Sequence, residues 1–244
     1  EQIYTTLKEQ DQLHLLKYYN ELTPDRQASL LEQISTIDWN LIHMAGQKPA
    51  SDEKAGKQIE PLGAMELTEI EERHDEFEAI GLEALRAQKT GAVLLAGGQG
   101  TRLGFDKPKG MFNIGVTRPL YIFECLINNL MDVVKQAGTW IPLYIMTSRK
   151  NHEETTSFFR EHNYFGYNPE EIRFFQQDMA PSVGYDGKVL LEAKDRISMS
   201  PNGNGGWFSS LCRAGYLKEM QERGIEWLSV FSVDNVLQRI NDPV

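Results

Sequence analysis

One stretch constrains this chain more than any other: Ala92 to Gly115, reading A-V-L-L-A-G-G-Q-G-T-R-L-G-F-D-K-P-K-G-M-F-N-I-G. Gly91 and the apolar residues Ala92 to Leu95 have the makings of a short buried strand. That strand runs into Gly97, Gly98, Gly100 and Gly104, so the backbone leaves the sheet without Cβ obstruction. A loop of this kind turns several N–H groups toward one anion. Arg102 and Lys109 add positive charge within the same segment. Strand, glycine loop and two cations describe a polyphosphate site.

Two common glycine loops are excluded by spacing. A dinucleotide fingerprint needs glycine at 98, 100 and 103, and position 103 is Leu. A Walker-type loop needs Gly-Lys-Ser/Thr after four spacers, whereas Gly97 leads to Arg102 and Leu103.

Residues 1–44 carry apolar positions at helical spacing, Ile3, Leu7, Leu13, Leu16 and Tyr19. Thr23-Pro24 starts a helix through Leu30, Leu31 and Ile34, and Asp38 caps a short one through Trp39, Leu41 and Ile42. His14 and His43 read as surface or core histidines. Ala45 to Leu62 reads as a surface connector, and Thr68 to Glu71 as a capping box. The acidic run from Glu69 to Glu78 falls all round its helix, which describes a solvated surface rather than a metal site.

From Gly91 onward strands alternate with helices. The pattern predicts strands at 92–96, 143–147, 172–176 and 227–233, and helices at 120–136, 151–162 and 207–222. Tyr185 to Lys188 and Asn168-Pro169 read as turns. Such alternation implies an α/β domain with a mostly parallel sheet, whose ligands bind outside the carboxyl ends of the strands. The expected division is a helical region over 1–88 and the first part of an α/β domain over 89–244.

The charge of −10 over 244 residues argues against a nucleic-acid surface, and no apolar run approaches membrane-spanning length. The start carries no signal-peptide pattern, and Cys125 and Cys212 read as buried thiols rather than a disulfide or metal pair. A cytoplasmic location is expected. Serines and cysteines lack a histidine at any motif spacing, and His152 and His162 fall on a predicted helix without a partner.

L-A-G-G-Q-G-T-R-L-G followed by P-K-G resembles the signature of the sugar-nucleotide pyrophosphorylases, in particular the UDP-N-acetylhexosamine pyrophosphorylase family. The resemblance implies a nucleotide-diphospho-sugar transferase-like, Rossmann-like fold with a mixed, mostly parallel sheet behind a helical N-terminal region. It also implies that UTP is held by Leu95, Ala96, Gly97, Gly98, Lys109, Gln177, Gly203 and Asp234, with Arg102 and Lys109 catalytic. Gln177 lies in F-F-Q-Q, where the family's second glutamine contacts the base. An aspartate at a strand end is often only a turn residue; the V-D-N context of Asp234 matches the family's Mg²⁺ ligand. Asn204 is expected to contact the sugar phosphate. Related UDP-glucose enzymes carry G-H-G-D where this chain has G-N-G-G, a smaller neutral pair that suits an N-acetyl group.

The implied reaction is uridylyl transfer from UTP to an N-acetyl-hexosamine 1-phosphate, with Mg²⁺ as cofactor. Alternatives are a UDP-glucose or broad-specificity UDP-sugar pyrophosphorylase, a glycosyltransferase on the same architecture, and a non-catalytic UTP-binding fragment. The family's proteins continue well past the position of Val244, so the resemblance also implies that this chain is a truncated domain, inactive by itself.

Overall fold

The computed structural model describes residues 1–46 and 60–244. In chain order the elements are α1 (Gln2–Glu9), α2 (Pro24–Ser35), α3 (Trp39–Gly46), α4 (Leu67–Glu72), α5 (His74–Arg86), β1 (Thr90–Leu95), α6 (Ile122–Ala137), β2 (Leu143–Thr147), α7 (His152–Glu161) and β3 (Ile172–Gln176). Short strands follow: β4 (Met179–Pro181), β5 (Leu191–Ala193), β6 (Arg196–Ile197) and β7 (Met199–Pro201). Then come α8 (Trp207–Arg213), α9 (Tyr216–Glu222) and β8 (Trp227–Ser232). Most of the connector expected over 45–62 lies outside the described residues. The chain groups into two compact units, residues 1–62 with 179–202, and residues 63–178 with 203–244.

The larger unit is built on a parallel sheet of strand order β3-β2-β1-β8. Its central strands β1 and β2 are near-continuous apolar runs because both faces are covered, while β3 and β8 at the edges carry Arg173, Ser229 and Ser232. Ala92, Leu94, Leu143 and Ile145 face one core with α5, α6 and α7, while Val93, Tyr144, Met146 and Phe175 face another with Leu211 of α8 and Met220 of α9. Alternate residues of a strand point to opposite faces, so one short run serves both cores. Helix α6 turns Ile122, Phe123, Leu126, Ile127, Leu130 and Val134 toward the first core, the spacing of an amphipathic helix.

The smaller unit packs α1–α3 with two antiparallel ribbons, β4–β7 and β5–β6. Glutamines stitch the helical segment to ribbon backbone. Gln12, 4% exposed, donates to Gly187 C=O (2.9 Å) and accepts from Val189 N–H (3.0 Å). Gln33 does the same with Asp195 C=O and Ile197 N–H, each at 3.0 Å. The turn expected over Tyr185 to Lys188 is present, closed by Gly184 N–H to Lys188 C=O at 2.8 Å. Asn168-Pro169 also forms a tight turn, with the Asn168 side chain accepting from Glu170 N–H.

Several sequence expectations change at the level of local geometry. The helix expected over 207–222 is broken at Gly215, whose φ of 86° is a left-handed conformation that ends α8 and starts α9. The Thr68 capping box does not form: α4 begins at Leu67 with Glu66 at the cap, and no side chain caps it. Residues 13–16 form a 3-10 turn, so Leu15 is fully buried while Leu13 is exposed. The last strand ends at Ser232, which leaves Asp234 in the turn beyond it. Cys125 and Cys212 sit on α6 and α8 as free, half-buried thiols.

Candidate active site at the carboxyl edge of the sheet

Because all four strands of the sheet run parallel, their carboxyl ends lie along one edge. In register, Leu95 pairs with Met146 and Ser232, and Thr147 pairs with Gln176. The segments beginning at Ala96, Ser148, Gln177 and Val233 therefore leave the sheet side by side. Three of the four carry residues singled out in the sequence.

The glycine loop leaves β1 under close control. Ala96 is 2% exposed and its N–H donates to Met146 C=O at 2.8 Å, while Leu95, half-buried, accepts from Val233 N–H at 3.2 Å. Beyond it the loop doubles back on itself: Gly100 N–H donates to Lys107 C=O (2.9 Å) and Lys109 N–H to Gly98 C=O (3.2 Å). Among the described residues, no protein group accepts from the N–H of Gly97, Gly98 or Gln99. Three consecutive unspent donors are groups that an anion could engage.

Gln177 is 5% exposed and bridges the two glycine loops. Its backbone N–H donates to Thr147 C=O (2.7 Å), and its Nε2 donates to Gly203 C=O (2.8 Å). Its Oε1 sits so close to Gly97 that a Cβ there would lie 2.9 Å from it, which leaves little room for any residue but glycine. Gly97, Gln177 and Gly203 thus meet. The Gln177 carboxamide still has an unused N–H and free lone pairs on Oε1. Asn204, next to Gly203, is exposed and its side chain makes no hydrogen bond among the described residues. Beneath it, Ser210 donates to Asp178 Oδ2 (2.7 Å) and accepts from Asp178 N–H (3.0 Å), while Arg213 pairs with the same carboxylate, fixing α8 to the end of β3.

A second cluster stands across β1. Lys109 Nζ forms an ion pair with Asp234, whose other carboxylate oxygen accepts from Ser232 Oγ at 3.2 Å. The hydrogen bond from Lys109 is the main reason the Asp234 carboxyl is held below its ordinary range, with the charges of Lys109 and Arg102 adding to it. Arg102 is exposed on the 3-10 turn Thr101–Leu103 and makes no hydrogen bond or ion pair among the described residues, although its charge reaches Asp234.

A family model described as UTP–glucose-1-phosphate uridylyltransferase matches residues 40–244. The chain belongs to that family. Within this uridylyltransferase family, the chain is 35% identical over 260 residues to UDP-N-acetylglucosamine diphosphorylase 2 of Arabidopsis thaliana, covering 97% of this chain and 50% of the relative. It is 34% identical over 250 residues to the UDP-N-acetylglucosamine pyrophosphorylase of Saccharomyces cerevisiae, covering 99% and 51%. The solved structure of the UDP-N-acetylglucosamine pyrophosphorylase from Trypanosoma brucei overlays with a TM-score of 0.74 at 26% identity, covering 97% of this chain and 51% of that one. The chain therefore spans about half the length of the relatives it matches.

For this uridylyltransferase-family chain, one expectation about histidines is corrected. His152 does have a partner: its Nδ1 lies 2.8 Å from Thr147 Oγ1, and that hydroxyl also donates to Phe175 C=O at 3.1 Å. His162 likewise has a partner, with Nδ1 2.9 Å from Phe158 C=O and its ring among Tyr121, Phe158 and Phe165. Both hold structure, and the Thr147 hydroxyl that His152 meets is itself fully buried.

One residue of the site went unnoticed in the sequence. Asn151, fully buried, bonds through Nδ2 to Ala96 C=O at 3.0 Å, directly at the root of the glycine loop. Its only local signal was that of a helix-start asparagine following a strand. Among the described residues no helix is long and apolar enough to cross a membrane.

Proposed function

We propose that this chain carries the UTP-binding part of a uridylyltransferase that joins UTP to N-acetyl-glucosamine 1-phosphate and releases pyrophosphate. The observation that carries the reading is the meeting of Gly97, Gln177 and Gly203 on one side of β1 and of Lys109 and Asp234 on the other. Glycine amides and cations beside a base-sized polar surface suit a nucleoside triphosphate. The family assignment supports the same substrate class. The sheet, with its loops at the carboxyl edge, supports placing the fold among Rossmann-like nucleotide-diphospho-sugar transferases.

In this reading the N–H groups of Gly97, Gly98 and Gln99 donate to the phosphates, and Lys109 and Arg102 neutralise charge that builds on the departing pyrophosphate. A sugar-phosphate oxygen, already ionised, attacks the α-phosphorus. One new P–O bond forms, the α–β P–O bond breaks, and its electron pair leaves with pyrophosphate. No general base is required, because the nucleophile carries no proton to remove. Positioning and electrostatics supply the rate. Asn204, exposed and unbonded, is the residue assigned to the sugar phosphate.

Mg²⁺ fits the donors present. Among the described residues no three His, Cys, Asp or Glu side chains gather, so no protein-only cage exists. Asp234 offers one ionised, exposed carboxylate beside the glycine loop, and Mg²⁺ is commonly held by one or two carboxylates plus phosphates and water. Bound there, the ion would offset phosphate charge.

The family description names glucose 1-phosphate, whereas the relatives at 34% and 35% identity are named for N-acetylglucosamine. The G-N-G-G segment favours the amino sugar. Pyrophosphate release by the intact protein, with UTP and a panel of sugar 1-phosphates, tests both parts. Turnover with N-acetyl-glucosamine 1-phosphate above glucose 1-phosphate is expected. A glucose preference overturns the acceptor, and no release with any member overturns the reaction.

A further inference from the structure

Asn151 stands between β2 and α7, and its carboxamide is spent entirely on backbone. Oδ1 accepts from Ser148 N–H at 2.7 Å. Nδ2 donates to Ala96 C=O at 3.0 Å and lies 3.5 Å from Gly98 C=O. The residue occupies the N-cap position of α7 yet makes no side-chain bond to that helix. Helix capping therefore does not account for it; serine, threonine or aspartate would cap as well. Only a carboxamide combines an acceptor with a donor bearing two hydrogens.

What the donor holds matters more. In a trans peptide the C=O and the following N–H point to opposite sides of the plane. Drawing Ala96 C=O toward Asn151 turns the Gly97 N–H away from it, and drawing Gly98 C=O turns the Gln99 N–H the same way. Gly98 C=O is held from a second side by Lys109 N–H at 3.2 Å. The two amides so directed are among those with no acceptor among the described residues.

We propose that Asn151 is the positioning residue of the glycine loop, aiming the Gly97 and Gln99 amides at a polyphosphate before it arrives. Glycine-rich backbone has wide conformational freedom. A loop left to find its direction on binding spends affinity on being ordered, and a buried carboxamide removes that cost in advance. The inference rests on the nucleotide reading above and adds which group orients the donors.

The test compares Asn151→Ala and Asn151→Ser with wild type in the intact protein. Both variants are neutral, so neither adds repulsion toward phosphate. Affinities for Mg·UTP and for uridine are measured by calorimetry, the weaker one by competition. UTP affinity is expected to fall about tenfold while uridine affinity stays within about twofold, since only phosphate contacts depend on the loop amides. Thermal melts without ligand check folding, and the serine variant, which keeps an acceptor for Ser148, carries the comparison if the alanine variant does not fold. Equal losses for UTP and uridine mean general damage and overturn the inference. Unchanged UTP affinity in both variants overturns it as well. A wild type that binds UTP no better than uridine overturns the nucleotide reading itself, and the inference with it.

Discussion

Lys109 and Asp234, separated by 125 positions in sequence, form an ion pair where β1 and β8 leave the sheet. The two charges are those that a phosphate and a metal ion would each claim. A phosphate that engages Lys109 frees Asp234 for a cation, and a cation on Asp234 frees Lys109 for phosphate. The two exchanges favour one another, so nucleotide and Mg²⁺ are expected to bind with positive coupling.

Asp234→Asn should reduce pyrophosphate release to background in the intact protein, because a neutral amide is a poor ligand for a hard dication. The same variant has a pH signature. The folded-state pKa of Asp234 is depressed below 3.8, so its contribution to stability is present above that pH and is lost as pH falls through the lowered value. The pair is partly exposed, so the contribution at neutrality should be under about 1 kcal/mol. Melts of wild type and variant across this range should converge at the acid end, and a gap that widens there would count against the pairing.

Arg102→Ala should lower kcat about a hundredfold or more while leaving the melting curve within about 0.5 kcal/mol of wild type. The expectation follows from an exposed guanidinium with no hydrogen bond or ion pair to lose. A matched loss of stability and activity would assign Arg102 to structure instead.

Gln177→Ala should act on base selection. Its carboxamide links Gly203 to the first glycine loop, so removing it loosens both surfaces that would flank a uracil. The ratio of kcat/KM for UTP over CTP should fall, because a site built on hydrogen bonds loses discrimination when one is deleted. Stability should fall by only about 1 kcal/mol, since Gly203 C=O loses one of two donors and keeps Gly206 N–H at 3.2 Å. An unchanged nucleotide ratio would remove Gln177 from base recognition.

Two buried tyrosines should respond in opposite ways to loss of the hydroxyl. Tyr167 donates to Ile141 C=O at 2.5 Å, so Tyr167→Phe should cost about 1 kcal/mol. The Tyr144 hydroxyl is buried without a hydrogen-bond partner among the described residues, so Tyr144→Phe should be neutral or stabilising. Burial pushes the Tyr144 pKa up from 10.0 to about 12. A raised folded-state pKa means stability is present below pH 10 and is lost as pH rises toward 12. Tyr144→Phe should shed part of that alkaline loss, which urea titrations at pH 8 and pH 11 would reveal.

The parallel sheet was legible because strands buried on both faces are written as continuous apolar runs. Leu143–Thr147 and Ile172–Gln176 lie where those runs place them. The ribbons β4 to β7 were not, since strands of two or three residues are too short for any period to show. The break at Gly215 was hidden because a single glycine in a helical pattern does not announce its φ. Within the site, residue types and spacing pointed to the glycine loop, and the family resemblance pointed to Gln177, Gly203 and Asp234. What neither conveyed was long-range pairing: Lys109 with Asp234, Gln177 with Gly203, and Asn151 with Ala96. Such contacts depend on which strand ends the topology brings side by side.

The central place of β1 in the order β3-β2-β1-β8 has a consequence for how the chain is made. Thr90 to Leu95 is made before the other three strands of the sheet, yet one neighbour, β2, follows at Leu143 and the other, β8, only at Trp227. Non-local parallel pairings of this kind form slowly, because the intervening chain must be gathered first. Until Ser232 has emerged, a strand as apolar as Ala92-Val93-Leu94-Leu95 keeps one edge open to other nascent chains. The segment that carries the glycine loop thus waits on β8 for its second neighbour.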